Sequence, residues 1–211
     1  MIDLAGFRPG PAATIAAFAL VFALQVAPAV KVARDQSHRL ATGAELLLAT
    51  ATRDPRDLFR GEYSVLSYEV GQPAGLPAAE DLARACGTQA ECRLPPDMTV
   101  YVTLAAGADG LHHATGIAAT PPAGPDPALR GRLRFGTLTR GGSPACGAGP
   151  CFSGGIVYGI ERWYGPQGAP AELDRLDRAR IRVRVRVDPT GEAVLDALLV
   201  DGREVARTPR L

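Results

Sequence analysis

Residues 180–187 have the sequence Arg-Ile-Arg-Val-Arg-Val-Arg-Val. Successive residues of a β-strand point to opposite faces, so this alternation predicts a strand with four arginines on one face and four β-branched residues on the other. The turn-forming residues 188–191 and the mostly apolar residues 192–200 follow, which predicts a hairpin. This part of the chain therefore predicts an antiparallel sheet with one buried face.

The arginine face of this strand has two interpretations. It could bind an anionic lipid or a glycan phosphate, or it could pair with carboxylates on neighbouring strands, among them Glu192 and Asp196. We favour the pairing, because cross-strand pairs of opposite charge are ordinary in sheets. The four side chains concerned are Arg180, Arg182, Arg184 and Arg186.

The chain around this hairpin consists of short β-like runs separated by glycine and proline, with 24 Gly and 18 Pro in 211 residues. It predicts helical segments at 78–85 and 169–178 and a proline-rich loop at 121–127. No internal repeat is visible, and the expected fold is a mainly β (α+β) domain, antiparallel, with one or two short helices. The other predicted strands are residues 45–52, 63–70, 98–104, 111–120, 131–140, 156–164 and 203–207.

Residues 12–30 form an uncharged run of 19 residues. As a helix it would be about 28 Å long, close to the thickness of the hydrocarbon core of a bilayer. We therefore expect residues 1–40 to be a membrane anchor with a short membrane-proximal segment, and residues 41–211 to be an extracytoplasmic β-rich domain. A cleaved signal peptide is the alternative, since Ala27-Pro28-Ala29 resembles a cleavage site, but the preceding region carries little positive charge.

The cysteines bear on the side of the membrane that the domain occupies. Cys86 and Cys92 form one close pair, and Cys146 and Cys151 form another. Close pairs outside the membrane run favour disulfides in an oxidising compartment, with pairing across the two loops, metal ligation and free thiols as alternatives. The basic residues after the run favour a cytoplasmic domain. We give the cysteines more weight and expect a single-pass protein of the cytoplasmic (inner) membrane with a periplasmic domain.

Residues 54–68 concentrate ionisable side chains at the start of a predicted strand. Carboxylates there can form bidentate pairs with arginine, and Gly61 permits a backbone conformation with positive φ. The structural interpretation, a charge-locked turn that sets the strand register, is favoured over a ligand or partner site and over catalysis. The candidate residues in this segment are Asp54, Arg56, Arg60, Gly61, Glu62, Tyr63, Leu66 and Tyr68.

Residues 61–68, Gly-Glu-Tyr-Ser-Val-Leu-Ser-Tyr, resemble the motif of the GDYXXLXY family, with Glu62 at the position of its Asp. Residues 54–60 are similar to the segment that precedes this motif. Residues 158–164, which include Tyr158 and Glu161, resemble a second strand of the family. The resemblance implies a membrane-associated bacterial protein with an N-terminal membrane segment, one β-rich domain and no assigned activity.

We expect a binding or accessory module that contacts the lipid bilayer through residues 12–30 and other membrane or envelope proteins through its domain. The alternative is a small periplasmic hydrolase that uses Glu62 and Glu161 as paired carboxylates. The net charge of +1 argues against nucleic-acid binding. We predict no cofactor, since no glycine loop matches a phosphate cradle. We also predict no metal, because the adjacent His112 and His113 on a strand would face opposite ways.

Overall fold

The computed structural model describes residues 10–51, 63–87, 89–141 and 146–209. The chain divides after His38 into two compact units. The described residues of the first unit are almost entirely helical, and the second unit contains the sheets.

Helix α1 spans Pro11–Thr42. Proline is tolerated in its first turn because the N–H of that position has no partner within the helix. The helix is long and apolar enough to cross a membrane. Its large apolar side chains are exposed, among them Phe18 at 72% and Phe22 at 67%, which is the surface that a lipid environment requires.

The second unit is built mainly from strands. Among the residues that the structure describes, two short helices, α2 (Glu80–Ala83) and α3 (Ala169–Asp174), and three 3-10 turns interrupt them. The strands are β1 (Ala44–Ala49), β2 (Tyr63–Val65), β3 (Leu76–Pro77), β4 (Glu91–Arg93), β5 (Thr99–Ala106), β6 (His112–Ala118), β7 (Ala128–Arg140), β8 (Pro150–Val157), β9 (Arg162–Tyr164), β10 (Ile181–Val187), β11 (Ala193–Val200) and β12 (Arg203–Arg207).

The first sheet is antiparallel, in the order β1-β10-β11-β12. The alternating strand and its predicted hairpin are confirmed as β10 and β11. The register shifts between Arg184 and Val185, which leaves Asp196 as an extra residue in β11. The predicted pairing of the arginines holds for Asp196, which Arg184 contacts at 2.9 Å, and is wrong for Glu192, which binds Arg130.

The second sheet has the order β3-β8-β7-β5-β6, and β4 also pairs with β7. Because β7 is long, β5 and β4 pair with its two halves along the same edge. A parallel bridge between Ala78 and Ile117 connects the end of β3 back to β6. The Asp81 carboxylate, which follows β3 in the chain, stabilises this connection by accepting hydrogen bonds from the N–H groups of Ala119 and Thr120, just after β6.

One hydrophobic core receives side chains from both sheets. Val183 and Leu198 come from the first sheet, and Val102 and Leu129 come from the second; all four are fully buried. Burial of this apolar surface is the main favourable term in folding. It explains why the β-branched side of the predicted strand faces inward.

Several boundaries differ from those expected from the sequence. The predicted strand 156–164 is interrupted after Val157, and the predicted strand 63–70 ends at Val65. The first break coincides with Gly159 at φ +82°, a conformation that does not fit a strand. The helix predicted to Arg178 ends at Asp174, and the short strands β3 and β4 were not predicted.

Candidate functional site

The motif strand pairs with the second family-like strand in an antiparallel ribbon, which we call the motif ribbon: β2 (Tyr63–Val65) and β9 (Arg162–Tyr164). Tyr63 lies opposite Tyr164, and Val65 lies opposite Arg162. The structure therefore brings together two segments that are about a hundred residues apart in the chain. Five candidates lie outside the described residues, namely Asp54, Arg56, Arg60, Gly61 and Glu62.

Directly after the ribbon, the inward-facing motif residues bond to the backbone of the other segment. Leu66 is fully buried, and its N–H donates to the carbonyl of Glu161 at 2.8 Å. Tyr68 is 3% exposed, and its hydroxyl donates to the carbonyl of Ile160 at 2.7 Å. Both residues thus continue the pairing of the ribbon beyond β2.

Tyr158 makes the reciprocal contact. Its buried hydroxyl donates to the carbonyl of Val70 at 2.7 Å. Burial, with a smaller contribution from the charge of Glu161, raises the pKa of both Tyr68 and Tyr158. The two hydroxyls therefore stay protonated at neutral pH, as their role as hydrogen-bond donors requires.

The carboxylate of Glu161 closes the turn between β8 and β9. One oxygen accepts the N–H of Tyr158 at 2.5 Å, and the other accepts the N–H of Gly159 at 2.9 Å. Gly159 has φ +82°, which a residue with a side chain adopts at a steric cost. Both carboxylate oxygens are thus bonded to the backbone of this turn.

A polar contact beneath the ribbon was missed from the sequence. The fully buried Ser64 donates through its hydroxyl to Asp174 at 2.5 Å, and Arg178 donates to the same carboxylate oxygen at 2.8 Å. Thr50, after β1, bonds to the carbonyl of Arg178 at 2.7 Å. The spacing of Asp174 and Arg178, four residues apart, was the available signal for a pair; its link to Ser64 depends on the fold.

The outward face of the ribbon carries aromatic and cationic side chains. The rings of Tyr63 and Tyr164 are 5.6 Å apart between centroids, and the Arg162 guanidinium carbon lies 5.7 Å from the Tyr63 centroid. Tyr164 is 68% exposed. Tyrosine and arginine are enriched at the centres of protein interfaces, so this composition suits contact with a partner.

The hydrolase hypothesis required β2 and β9 to be adjacent, which they are. Glu62, one of its two carboxylates, lies outside the described residues. The carbonyl of Glu161 accepts the N–H of Leu66. This pair lies past the Val65 end of the ribbon, whereas Tyr63 is at the opposite end. Both oxygens of the other carboxylate, that of Glu161, accept hydrogen bonds from the turn between β8 and β9.

Both close cysteine pairs form disulfides, Cys86–Cys92 and Cys146–Cys151. The adjacent histidines have separate partners: His113 contacts Asp109 at 3.0 Å, whereas His112 Nδ1 accepts the N–H of Leu47. Within the described ranges, no group of three or more His, Cys, Asp or Glu side chains could hold a metal ion.

The model of the family described as GDYXXLXY protein matches residues 25–198. The chain belongs to the GDYXXLXY family. The matched range includes the motif ribbon, both disulfides and the second half of α1. No curated protein and no solved structure matches this GDYXXLXY chain.

Proposed function

We propose that this GDYXXLXY protein is a single-pass protein of the cytoplasmic (inner) membrane whose periplasmic β domain is a binding or accessory module for other envelope proteins. One observation carries the proposal. The inward residues of the motif and its partner segment bond to backbone atoms, whereas the outward face of the ribbon presents Tyr63, Arg162 and Tyr164.

Two features support the membrane and compartment assignments. Helix α1 has the length and composition of a membrane span. The β domain that follows it contains two disulfides, which persist in oxidising compartments and are rare in the cytosol. The disulfides therefore favour an extracytoplasmic domain. The basic residues that follow the apolar run favour a cytoplasmic one, and we give the disulfides more weight.

The outward face of the ribbon is the surface that we assign to partner contact. Tyr164 is a large side chain exposed over two thirds of its surface, and its ring packs against Tyr63 within a paired strand. A side chain ordered before binding loses less conformational entropy when a partner covers it. This face is therefore suited to bind a partner.

The hydrolase remains the second candidate because β2 and β9 are neighbours. A general acid or base must reach the proton that it transfers. Both oxygens of Glu161 already accept backbone N–H groups, and their removal would open the turn at Gly159. These contacts favour a structural role for Glu161. Because the hydrolase needs Glu161 as a catalytic carboxylate, they also favour the binding module over the hydrolase.

The test uses the full-length protein in intact cells. A photo-crosslinking residue replaces Tyr164, and in a matched control it replaces Val205, an apolar side chain on β12 that is 56% exposed. We expect adducts with envelope proteins from position 164 that weaken on Arg162→Ala, and none of the same adducts from position 205. Equal adducts from both positions, or a folded protein without adducts from position 164, would contradict the proposed contact.

The compartment is tested on the same chain by a phosphatase fused after Leu211, an enzyme that is active only where its own disulfides form. We expect an active fusion. An inactive fusion, together with reduced cysteines in intact cells, would place the domain in the cytoplasm and contradict the proposed location.

A further inference from the structure

A cleft of about 590 Å³ opens between the start of β1, the turn that joins β10 to β11, and the loop of residues 121–127. We call it the proline cleft. Proline has a fixed φ, so the walls of the cleft lose little conformational entropy when a ligand enters. Its volume is within the usual range for ligand sites. The prolines that line it are Pro121, Pro122, Pro125, Pro127 and Pro189.

One side of the proline cleft is the free edge of a sheet. Among the described residues, β1 pairs with β10 alone. The N–H of Leu47 points away from β10, because it donates to Nδ1 of His112 at 3.2 Å. Backbone groups alternate between the two edges of a strand, so the N–H and C=O of Glu45 lie on the same free edge as the N–H of Leu47. Glu45 lines the cleft and can pair there with an extended peptide.

His112 limits this edge at its far end. Its imidazole lines the cleft and already accepts the hydrogen bond from the N–H of Leu47. A peptide that entered the cleft would therefore pair with Glu45 and stop at His112. The site accommodates a short extended segment rather than a full additional strand.

The charges of the cleft indicate the chemistry of that segment. Its lining includes the carboxylates of Glu45, Asp126 and Asp188 and no lysine or arginine. Arg186 pairs with Glu45 at 2.7 Å, and Arg39 pairs with Asp188 at 2.7 Å. Asp126 is exposed and has no ion pair among the described residues.

An aromatic side chain also lines the cleft. Tyr101, on β5, is half-buried beside the proline-rich loop. A guanidinium or ammonium group is attracted both to a carboxylate and to the face of a tyrosine ring. The cleft is therefore complementary to a positively charged side chain.

We propose that the proline cleft binds an extended basic segment of another protein. The segment's backbone pairs with Glu45 on the free edge of β1, and one of its arginine or lysine side chains reaches Asp126 and Tyr101. This site goes beyond the partner contact assigned to the motif ribbon, because none of the residues that line the cleft belongs to that ribbon.

The test measures the binding of a fluorescent Val-Arg-Val-Arg-Val peptide to the full-length protein in lipid nanodiscs by fluorescence anisotropy. We expect saturable binding that Asp126→Asn weakens by about fivefold, in keeping with the strength of an exposed charge pair. Glu172→Gln removes an exposed carboxylate on α3, outside the cleft, and should leave the affinity unchanged. Asp126 is exposed, so the variant should fold, which its melting temperature checks.

Two peptide controls separate the parts of the proposal. The peptide with glutamate in place of arginine should not bind, and the peptide with N-methylated arginines should bind more weakly, because it lacks N–H groups for edge pairing. Equal affinity of the N-methylated peptide, full competition by free arginine amide, or an unchanged affinity of Asp126→Asn would overturn the proposal. Crosslinking from position 164 is independent of these outcomes.

Discussion

The motif ribbon and the arginine face of β10 both carry polar side chains on or next to paired strands, but the hydrogen-bond partners of these side chains differ. At the ribbon, the hydroxyls of Tyr68 and Tyr158 and the carboxylate of Glu161 bond to backbone atoms. On β10, Arg184 and Arg186 bond to carboxylate side chains of neighbouring strands. The partners of these ribbon groups are backbone atoms, whereas the partners of the arginines on β10 are carboxylate side chains. The two regions should therefore respond differently to mutation and to pH.

The arginine face is a network of side chains. Arg184 contacts both Asp196 on β11 and Glu204 on β12, and Arg186 contacts Glu45 on β1. Asp196 is fully buried at the bulge of β11. The network therefore links all four strands of the first sheet and has one buried carboxylate at its centre.

The largest expected effect is that of Asp196→Asn. This variant leaves the largely buried guanidinium of Arg184 without its buried counter-charge, and we expect the free energy of unfolding to fall by about 3 kcal/mol. The control is Asp201→Asn, which breaks the exposed pair with Arg180 and should lower the free energy of unfolding far less. Chemical denaturation of the full-length protein in nanodiscs measures both. Equal losses would show that burial does not distinguish the two pairs.

An intermediate effect is expected for Tyr158→Phe at the motif. It leaves the carbonyl of Val70 without its donor, and we expect a loss of about 1 to 2 kcal/mol in the free energy of unfolding. Tyr164→Phe removes an exposed hydroxyl and should change this free energy by less than about 0.5 kcal/mol. The same denaturation experiment compares them. A neutral Tyr158→Phe would contradict a structural role for the inward side of the motif.

The smallest expected effect, and the one that most directly separates the two regions, is that of pH. Hydrogen bonds from Arg207 and Arg184 lower the pKa of Glu204 to about 2. A carboxylate with a lowered pKa stabilises the fold fully above its ordinary pKa of about 4, and this contribution is lost as the pH falls towards the folded value. The pKa values of Tyr68 and Tyr158 are raised, so their contribution is present below about pH 10 and is lost as the pH rises further.

Melting temperatures between pH 2 and 11 test this difference. We expect Glu204→Gln to reduce the decline on the acid side and Tyr158→Phe to reduce the decline on the alkaline side. If both variants changed the same side of the profile, the proposed difference in pH response between the two regions would be wrong.

Much of the fold could be predicted from local patterns. The alternation of residues 180–187 predicted β10 and its buried face, and the close cysteine spacing favoured disulfides, whose connectivity the structure gives. The interruption between β8 and β9 could not be predicted in the same way. Residues 156–164 are apolar enough for one strand, and the turn within them depends on the positive φ of Gly159 and on the bonds of Glu161.

The candidate site was predicted in part. The motif identified Leu66 and Tyr68, and the resemblance added Tyr158 and Glu161, all of which the structure brings together. Asp174 was missed, because only its contact with Ser64 relates it to the motif. Nothing in the sequence indicated that Asp126 and Tyr101, which are 25 residues apart, line the same cleft.

The amino-acid sequence by itself determined the apolar helix, the antiparallel β class, the two close cysteine pairs and the family, because each depends on the order of neighbouring residues. Only the tertiary structure decided which polar groups are bonded to the backbone, which are paired with charges and which line an open cleft. Those outcomes depend on strand register and on the packing of distant segments. A shift of one residue in the register would exchange the inward and outward faces of the motif.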